Sequence, residues 1–427
     1  MQKTLKAAAL AGLLAAPASA ELVFVGLDYR TGPFAPGGIP FADGYADYFT
    51  LLNERDGGIN GVPIRFIACE TAYNTERGVE CYENTKGENP LVYQPLSTGI
   101  TYQLIPRATE DDIPLHTMGY GRTSASYGRV FTHVFNFPGT YWDAASIMVN
   151  YAGEMEGGME NLAGKTIALV YINIAYGREP IPTLEALAEK HGFNLLLLPV
   201  DAPGQEQRAT WLQIRRERPD WTFMWGWGVM NQVALREASS VRYPMDRFVG
   251  IWWAASEQDT APVGMDAAGY KAVTFHQVGD DFPIYDDLRE YVVGRGKAAG
   301  DGSHLGTVLY SRGMVAAMWA AEAARNAMEI HGTTAITPGM MRDGYQSLVV
   351  DEERLIELGL PNFTVPVAVT CENHGGPGMG MIQQWDGERW SVISDFIGAD
   401  REVIDPMIQA DALAFAAENG ITPRDCD

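Results

Sequence analysis

Short β-rich runs alternate with stretches of helical periodicity along most of this chain, and that alternation admits few folds. Strands are predicted over residues 22–27, 63–68, 91–94 and 113–118. Phe41, Tyr45, Tyr48, Phe49 and Leu52 recur at helical spacing, and further helices are predicted over 75–85 and 100–109. The rhythm restarts with a helix over 141–154. Strands at 166–171, 194–199, 221–225 and 248–252 follow, separated by helices at 179–191, 205–218 and 231–240. Repeated β-loop-α units require parallel strands whose crossover helices cover both sheet faces. The fold class is therefore α/β, and two series imply two doubly wound parallel-sheet lobes. Beyond a strand at 272–276 come a helix over 312–328, a strand at 365–370 and a hairpin about Asp386-Gly387, a pair suited to a primed turn.

The first twenty residues carry an address rather than a fold. Lys3 and Lys6 precede an apolar run, Pro17 breaks it, and Ala18-Ser19-Ala20 supplies small residues for cleavage before Glu21. This is the pattern of a secretory signal peptide, residues 1–20, and it predicts a periplasmic protein. No cysteine stands there for lipid attachment, and no later run reaches the roughly 20 apolar residues of a membrane helix. A net charge of −23 argues against nucleic acid and anionic membrane surfaces as partners. The four cysteines, Cys69, Cys81, Cys371 and Cys426, suggest two disulfides in an exported chain. Cys69–Cys81 would close a short loop and Cys371–Cys426 would tie down the tail, but three pairings are open.

Catalytic signatures are scarce. There is no G-x-S-x-G elbow, Walker loop, dinucleotide fingerprint or H-E-x-x-H spacing. No cofactor and no metal site is predicted. His374-Gly375-Gly376-Pro377-Gly378 resembles an oxyanion loop, but a tight glycine turn explains it better. Aromatic residues instead gather where predicted strands end: Tyr120, Tyr171 and Tyr176, Trp225 and Trp227, Trp252 and Trp253. Open α/β sheets bind ligands beyond their strand C-termini, and aromatics there offer apolar area with a polar handle.

Several motifs then fall into one order. Asn53-Glu54-Arg55-Asp56-Gly57-Gly58-Ile59-Asn60-Gly61, followed by Pro63-Ile64, resembles the N-E-x-G-G-I-N-G-x-x-I block of periplasmic substrate-binding proteins of branched-chain amino-acid-type ABC transporters, with one extra residue before the glycines. Ala72-Tyr73-Asn74-Thr75, Pro95-Leu96-Ser97-Thr98-Gly99, Ala175-Tyr176-Gly177-Arg178 and Gln384-Trp385-Asp386-Gly387 match weaker family segments in sequence. The resemblance spans nearly the whole mature chain. It implies two lobes joined by a hinge, one of residues 21–139 plus 274–351 and the other of 140–273 plus 352–427. It implies a small-molecule ligand, delivery to ABC permease subunits, and no catalysis. It places Ser97, Thr98 and Gly99, with Gly119, Tyr120 and Gly121, on the ligand from the first lobe. Tyr176 and the region of Trp227 face it from the second.

One departure bears on the ligand. Where amino-acid binders carry a glutamate for the ligand ammonium, this chain carries Trp252, and Gly121 stands where they have a threonine. Glu257 lies farther along. An ammonium buried without a carboxylate partner would cost several kcal/mol. An aromatic or branched carboxylic acid fits better, with Arg122 as a candidate anion partner; an aromatic cage for a quaternary amine is the other option. Competing functional readings are an exported ligand-sensing module and a secreted hydrolase using the His374 loop. The exported protein is expected to begin at Glu21, and its intact mass checks this.

Overall fold

The structure, a computed structural model, describes residues 21–426; the signal-peptide segment lies outside the described residues. Five parallel strands form the first sheet: β1 (Leu22–Asp28), β2 (Ile64–Glu70), β3 (Val92–Gln94), β4 (Leu115–His116) and β5 (Val134–Phe135), in the order β2-β1-β3-β4-β5. The second sheet contains β6 (Thr166–Ile172), β7 (Asn194–Val200), β8 (Trp221–Trp225), β9 (Phe248–Gly250) and β10 (Lys271–Thr274), all parallel. After a small antiparallel pair, β11 (Val349–Val350) with β12 (Val367–Ala368), the chain returns to that sheet. There β13 (Met379–Trp385) runs antiparallel to β10, followed by β14 (Trp390–Val392) and β15 (Ile397–Gly398). The main order is β14-β13-β10-β9-β8-β6-β7. Two doubly wound lobes are thus present, as the alternating pattern required.

The glycine block after the first helix has a specific geometric task. The helix Ala35–Asp56 ends at Gly57, in the left-handed region at φ 72°. Gly57 and Gly58 donate back to Asn53 O and Leu52 O at 3.2 and 2.9 Å, closing the last turn. Gly58 has φ 101°, and a Cβ there would lie 1.9 Å from Val62 O. Ile59 and Val62 then exchange backbone hydrogen bonds, which turn the chain into β2. A side chain at Gly58 would have to displace backbone.

The same helix crosses Val308–His331 at contact distance between backbones. A Cβ on Gly44 would sit 2.0 Å from Tyr310 O, and one on Gly313 would sit 2.0 Å from Phe41 O. This crossing carries residues 308–331 onto the first lobe, although they follow every strand from β6 to β10 in the chain. Large apolar side chains such as Trp319, Met314 and Met318 are buried along it.

The C-terminal segment divides its contacts between lobes, and the sequence did not reveal this. The range 352–427 was expected with the second lobe, yet only β13 to β15 join the second sheet. Ala412 and Ala416, on the helix Arg401–Asn419, belong to a core cluster with Val25, Leu104 and Val134 of the first lobe. Both cysteine pairs are bonded, Cys69–Cys81 and Cys371–Cys426. The second pins the tail beside that lobe, where Arg424 donates to the Gly128 and Cys371 carbonyls.

Gly313→Ala should lower the unfolding free energy by about 1–3 kcal/mol, because a methyl group inserted at the crossing forces the helices apart. A shift of the urea midpoint at unchanged slope checks it.

Candidate functional site

Each sheet reverses its strand order at one point, between β1 and β3 in the first and between β6 and β8 in the second. Loops leaving adjacent strands diverge there and open a crevice. In this molecule the two crevices face each other, and the residues leaving the strands line one shared cavity. Tyr29 follows β1 and Tyr73 follows β2. Leu96, Ser97 and Thr98 follow β3, and Tyr120 follows β4. From the second lobe come Tyr141, Tyr176 after β6, Trp227 after β8 and Trp253 after β9. The space left among them is about 20 Å³, near the roughly 10–15 Å³ that one water requires. The lobes are therefore shut upon the site.

Local backbone geometry sets these side chains in place. Leu96 adopts φ 45°, an uncommon value for a residue with a side chain. That turn places Ser97 in extended conformation as the N-cap of the helix Thr98–Glu110, its hydroxyl accepting from Ile100 N–H at 3.4 Å. The Ser97 hydroxyl also faces the Tyr73 phenol, with which it shares a side-chain hydrogen bond. The Tyr120 hydroxyl accepts from Leu96 N–H at 2.7 Å and donates to the Gln94 side-chain carbonyl, so the ring is pinned to the exit of β3. Tyr176 donates to Gly226 O at 2.9 Å, and the Thr98 and Tyr141 hydroxyls meet at 3.0 Å across the lobes. Burial holds the phenol pKa values of Tyr29, Tyr120, Tyr141 and Tyr176 well above the ordinary range. These rings remain neutral, and their hydroxyls keep a proton to donate.

Among the sequence candidates, Ser97, Thr98, Tyr120, Tyr176 and Trp227 border the cavity. Gly99, Gly119, Gly121 and Trp252 do not. Gly99 lies inside the helix that Ser97 caps. The Gly119 N–H donates to Asn136 O at 2.9 Å, and its carbonyl accepts from both Trp252 Nε1 and Trp253 Nε1, at 2.9 and 3.0 Å. Gly121 N–H is 3.4 Å from Thr98 Oγ1. Trp252 packs against Phe275 at 5.4 Å, and its neighbour Trp253 borders the cavity instead. The physical reason is strand length. The predicted strand runs to 252, whereas β9 stops at Gly250 and a turn closes with Ala254 N–H on Ile251 O. The turn ends the alternation that a strand would have imposed on 252 and 253.

Tyr29, Tyr73, Leu96, Tyr141 and Trp253 were not named as site residues. Tyr29 immediately follows β1, which flanks the switch point, a signal the strand-end rule would have caught; Tyr73 stands three residues beyond β2, the outer neighbour of β1. Tyr141 begins a helix and carries no such mark. Arg122 lies away from the cavity: it pairs with Asp411, donates to Ser124 Oγ at 2.8 Å and stacks over Phe415 at 4.8 Å. The His374 loop is likewise structural. His374 Nδ1–H donates to Val134 O at 2.7 Å, Arg424 donates to Nε2 at 3.2 Å, and burial lowers the imidazole pKa to about 3. Both ring nitrogens are occupied, and Cys371 is disulfide-bonded.

Closure is secured around the rim. Val229 N–H donates to Pro33 O at 3.2 Å between the lobes. Gly228, at φ 59°, lets that backbone approach, since a Cβ there would lie 2.7 Å from Pro33 O. Glu179, on the second lobe, accepts from the Tyr102 hydroxyl and, at 2.8 Å, from Thr123 Oγ1 of the first. Burial raises the pKa of Glu179.

Two doubly wound lobes closed over a cleft between strand ends define a ligand-binding protein of hinged type. The chain belongs to the periplasmic binding protein family, whose description matches residues 23–389. No curated protein matches it. A structure described as an ABC transporter permease from the Pseudomonas fluorescens group is 40% identical, with a TM-score of 0.88 over 95% of this chain and 99% of that one. A branched-chain amino acid ABC transporter from Thermus thermophilus with bound valine shares the fold at 20% identity and a TM-score of 0.77, over 91% and 99%. A solute-binding protein from R. palustris in complex with benzoate shares it at 13% identity and 0.68, over 89% and 98%. Among the described residues no helix is long and apolar enough to cross a membrane.

Glu179→Ala removes three interlobe hydrogen bonds to a carboxylate, from the Tyr102 hydroxyl and from Thr123 Oγ1 and N–H, and should disfavour closure by on the order of 2 kcal/mol. Small-angle scattering of the ligand-free protein should then show a larger radius of gyration.

Proposed function

We propose that this chain is an exported, periplasmic receptor that captures a small carboxylic acid with an aromatic or branched apolar body. It hands the ligand to the permease of an ABC importer and catalyses no reaction. The observation that carries this reading is the chemistry of the cavity wall. Five tyrosines, two tryptophans, a leucine, a serine and a threonine line it, with no charged side chain among them. An amino-acid ammonium would be stripped of water and left without a carboxylate there. A carboxylate could take the Ser97 hydroxyl proton and the free N–H groups at the start of the helix it caps. Shared fold does not choose the ligand, since one neighbour holds valine and another benzoate.

Ser97 is the first-lobe donor in this reading, with Thr98 and Tyr120 beside it. Tyr176, Trp227 and Trp253 enclose the apolar body from the second lobe. The lobes move about crossings near residues 139–140 and 273–274, and about a third pass ahead of Met379. The signal peptide 1–20 supplies the export route.

The test is calorimetry against benzoate, branched aliphatic acids, leucine and glycine betaine. The acids should bind and the ammonium compounds should not. Ser97→Ala should cost about 1.5–3 kcal/mol of acid binding, and Trp253→Ala about 2 kcal/mol or more. Tight leucine binding that neither change affects would overturn the assignment.

A further inference from the structure

Directly behind the cavity wall lies a buried cation without a direct salt-bridge partner. Arg312 is 0% exposed, on the helix Val308–His331. Its guanidinium stands over the Trp253 ring at 5.3 Å and over Phe275 at 5.0 Å. Nε donates to His276 Nε2 at 3.1 Å, and Nη1 donates to the Trp252 carbonyl. His276 Nδ1 in turn lies 2.7 Å from Gln277 O, to which it donates, leaving Nε2 as the acceptor. Every partner of Arg312 is neutral. Among the described residues it forms no ion pair within 4.0 Å. Glu257 is the carboxylate that its charge feels, and Glu257 is already engaged by Val308 N–H at 3.0 Å.

A desolvated charge whose hydrogen-bond partners are all neutral is costly, and it projects a positive potential into low-dielectric surroundings. One aromatic ring separates it from the cavity. We propose that Arg312 is the specificity-determining residue of the site: acting through Trp253, it selects anionic ligands, and the ligand carboxylate adds a second counter-charge to the one that Glu257 supplies from beyond ion-pair distance. The inference rests on the reading of the aromatic cavity as the ligand site. It also sets anions against quaternary amines. A tryptophan that already carries a guanidinium over its ring is a poor wall for a second cation, and the Gly119 carbonyl, saturated by two indoles, offers an ammonium no acceptor.

Because Arg312 also braces the Trp252 and Thr274 backbone region, loss of affinity alone would not distinguish charge from structure. The ratio of affinities for benzoate and benzamide does, since the two probes share a shape and differ in charge. Wild type should prefer benzoate. Arg312→Met should reduce the benzoate-to-benzamide ratio by about tenfold, the size of a Coulomb interaction across one ring at intermediate dielectric, while Arg312→Lys should retain part of it. Glu257→Gln keeps an oxygen for Val308 N–H and removes the opposing charge, so it should raise the ratio by about threefold; it serves also if Arg312→Met fails to fold. A ratio unmoved by Arg312→Met and by Glu257→Gln overturns the inference. Benzoate binding that Ser97→Ala and Trp253→Ala leave untouched, or no binding of either probe to wild type, overturns the cavity reading and the inference together.

Discussion

Parallel strands impose the constraint on which the site depends. A parallel pair cannot be joined by a tight turn, so each crossover returns over a sheet face and every strand leaves at the same edge. All five strands of the first sheet obey this, as do β6 to β10 of the second. Loops from distant parts of the sequence are thereby delivered to one line at each sheet, and the two lines face each other. Tyr29 and Trp253 line one cavity although most of the chain's domain-forming sequence separates them. The glycine contacts at Gly44 and Gly313 serve the same end, because they seat the late helix Val308–His331 on the early lobe and bring Arg312 behind the cavity wall.

Much of this was legible. Alternating strand and helix signals gave two lobes, strand ends pointed to Tyr120, Tyr176 and Trp227, and the family resemblance pointed to Ser97 and Thr98. These signals are local: a short family segment, or an aromatic residue just past an apolar run. What escaped was set by tertiary context. Trp252 and Trp253 differ only in where β9 stops, and strand ends are decided by pairing as well as by propensity. Gly119 and Gly121 sit close to the cavity but spend their polar groups on protein partners, which no spacing rule reveals. The destination of the helix Arg401–Asn419 was hidden too, since its alanine-rich face carries no preference between two apolar surfaces.

The cavity is aromatic on its walls and electrically biased from behind. That division separates shape from charge. Rings with phenol and indole groups fix the outline of the cavity, while the Tyr120 and Tyr176 hydroxyls spend their bonds on holding those rings in place. Charged groups outside the cavity, including Glu179 and Arg122, spend themselves on holding elements together.

The helix Arg401–Asn419 has its two ends on different bodies. At its start, Asp400 receives Lys190 at 2.6 Å and Arg401 pairs with Asp143 at 3.2 Å, both on the second lobe. At its far end, Ala412 and Ala416 lie in the first-lobe cluster, and Cys426 is covalently fastened to Cys371. A rod fixed in this way to both lobes is a strut between them, so any parting of the aromatic edges has to bend or release one of its two anchorages.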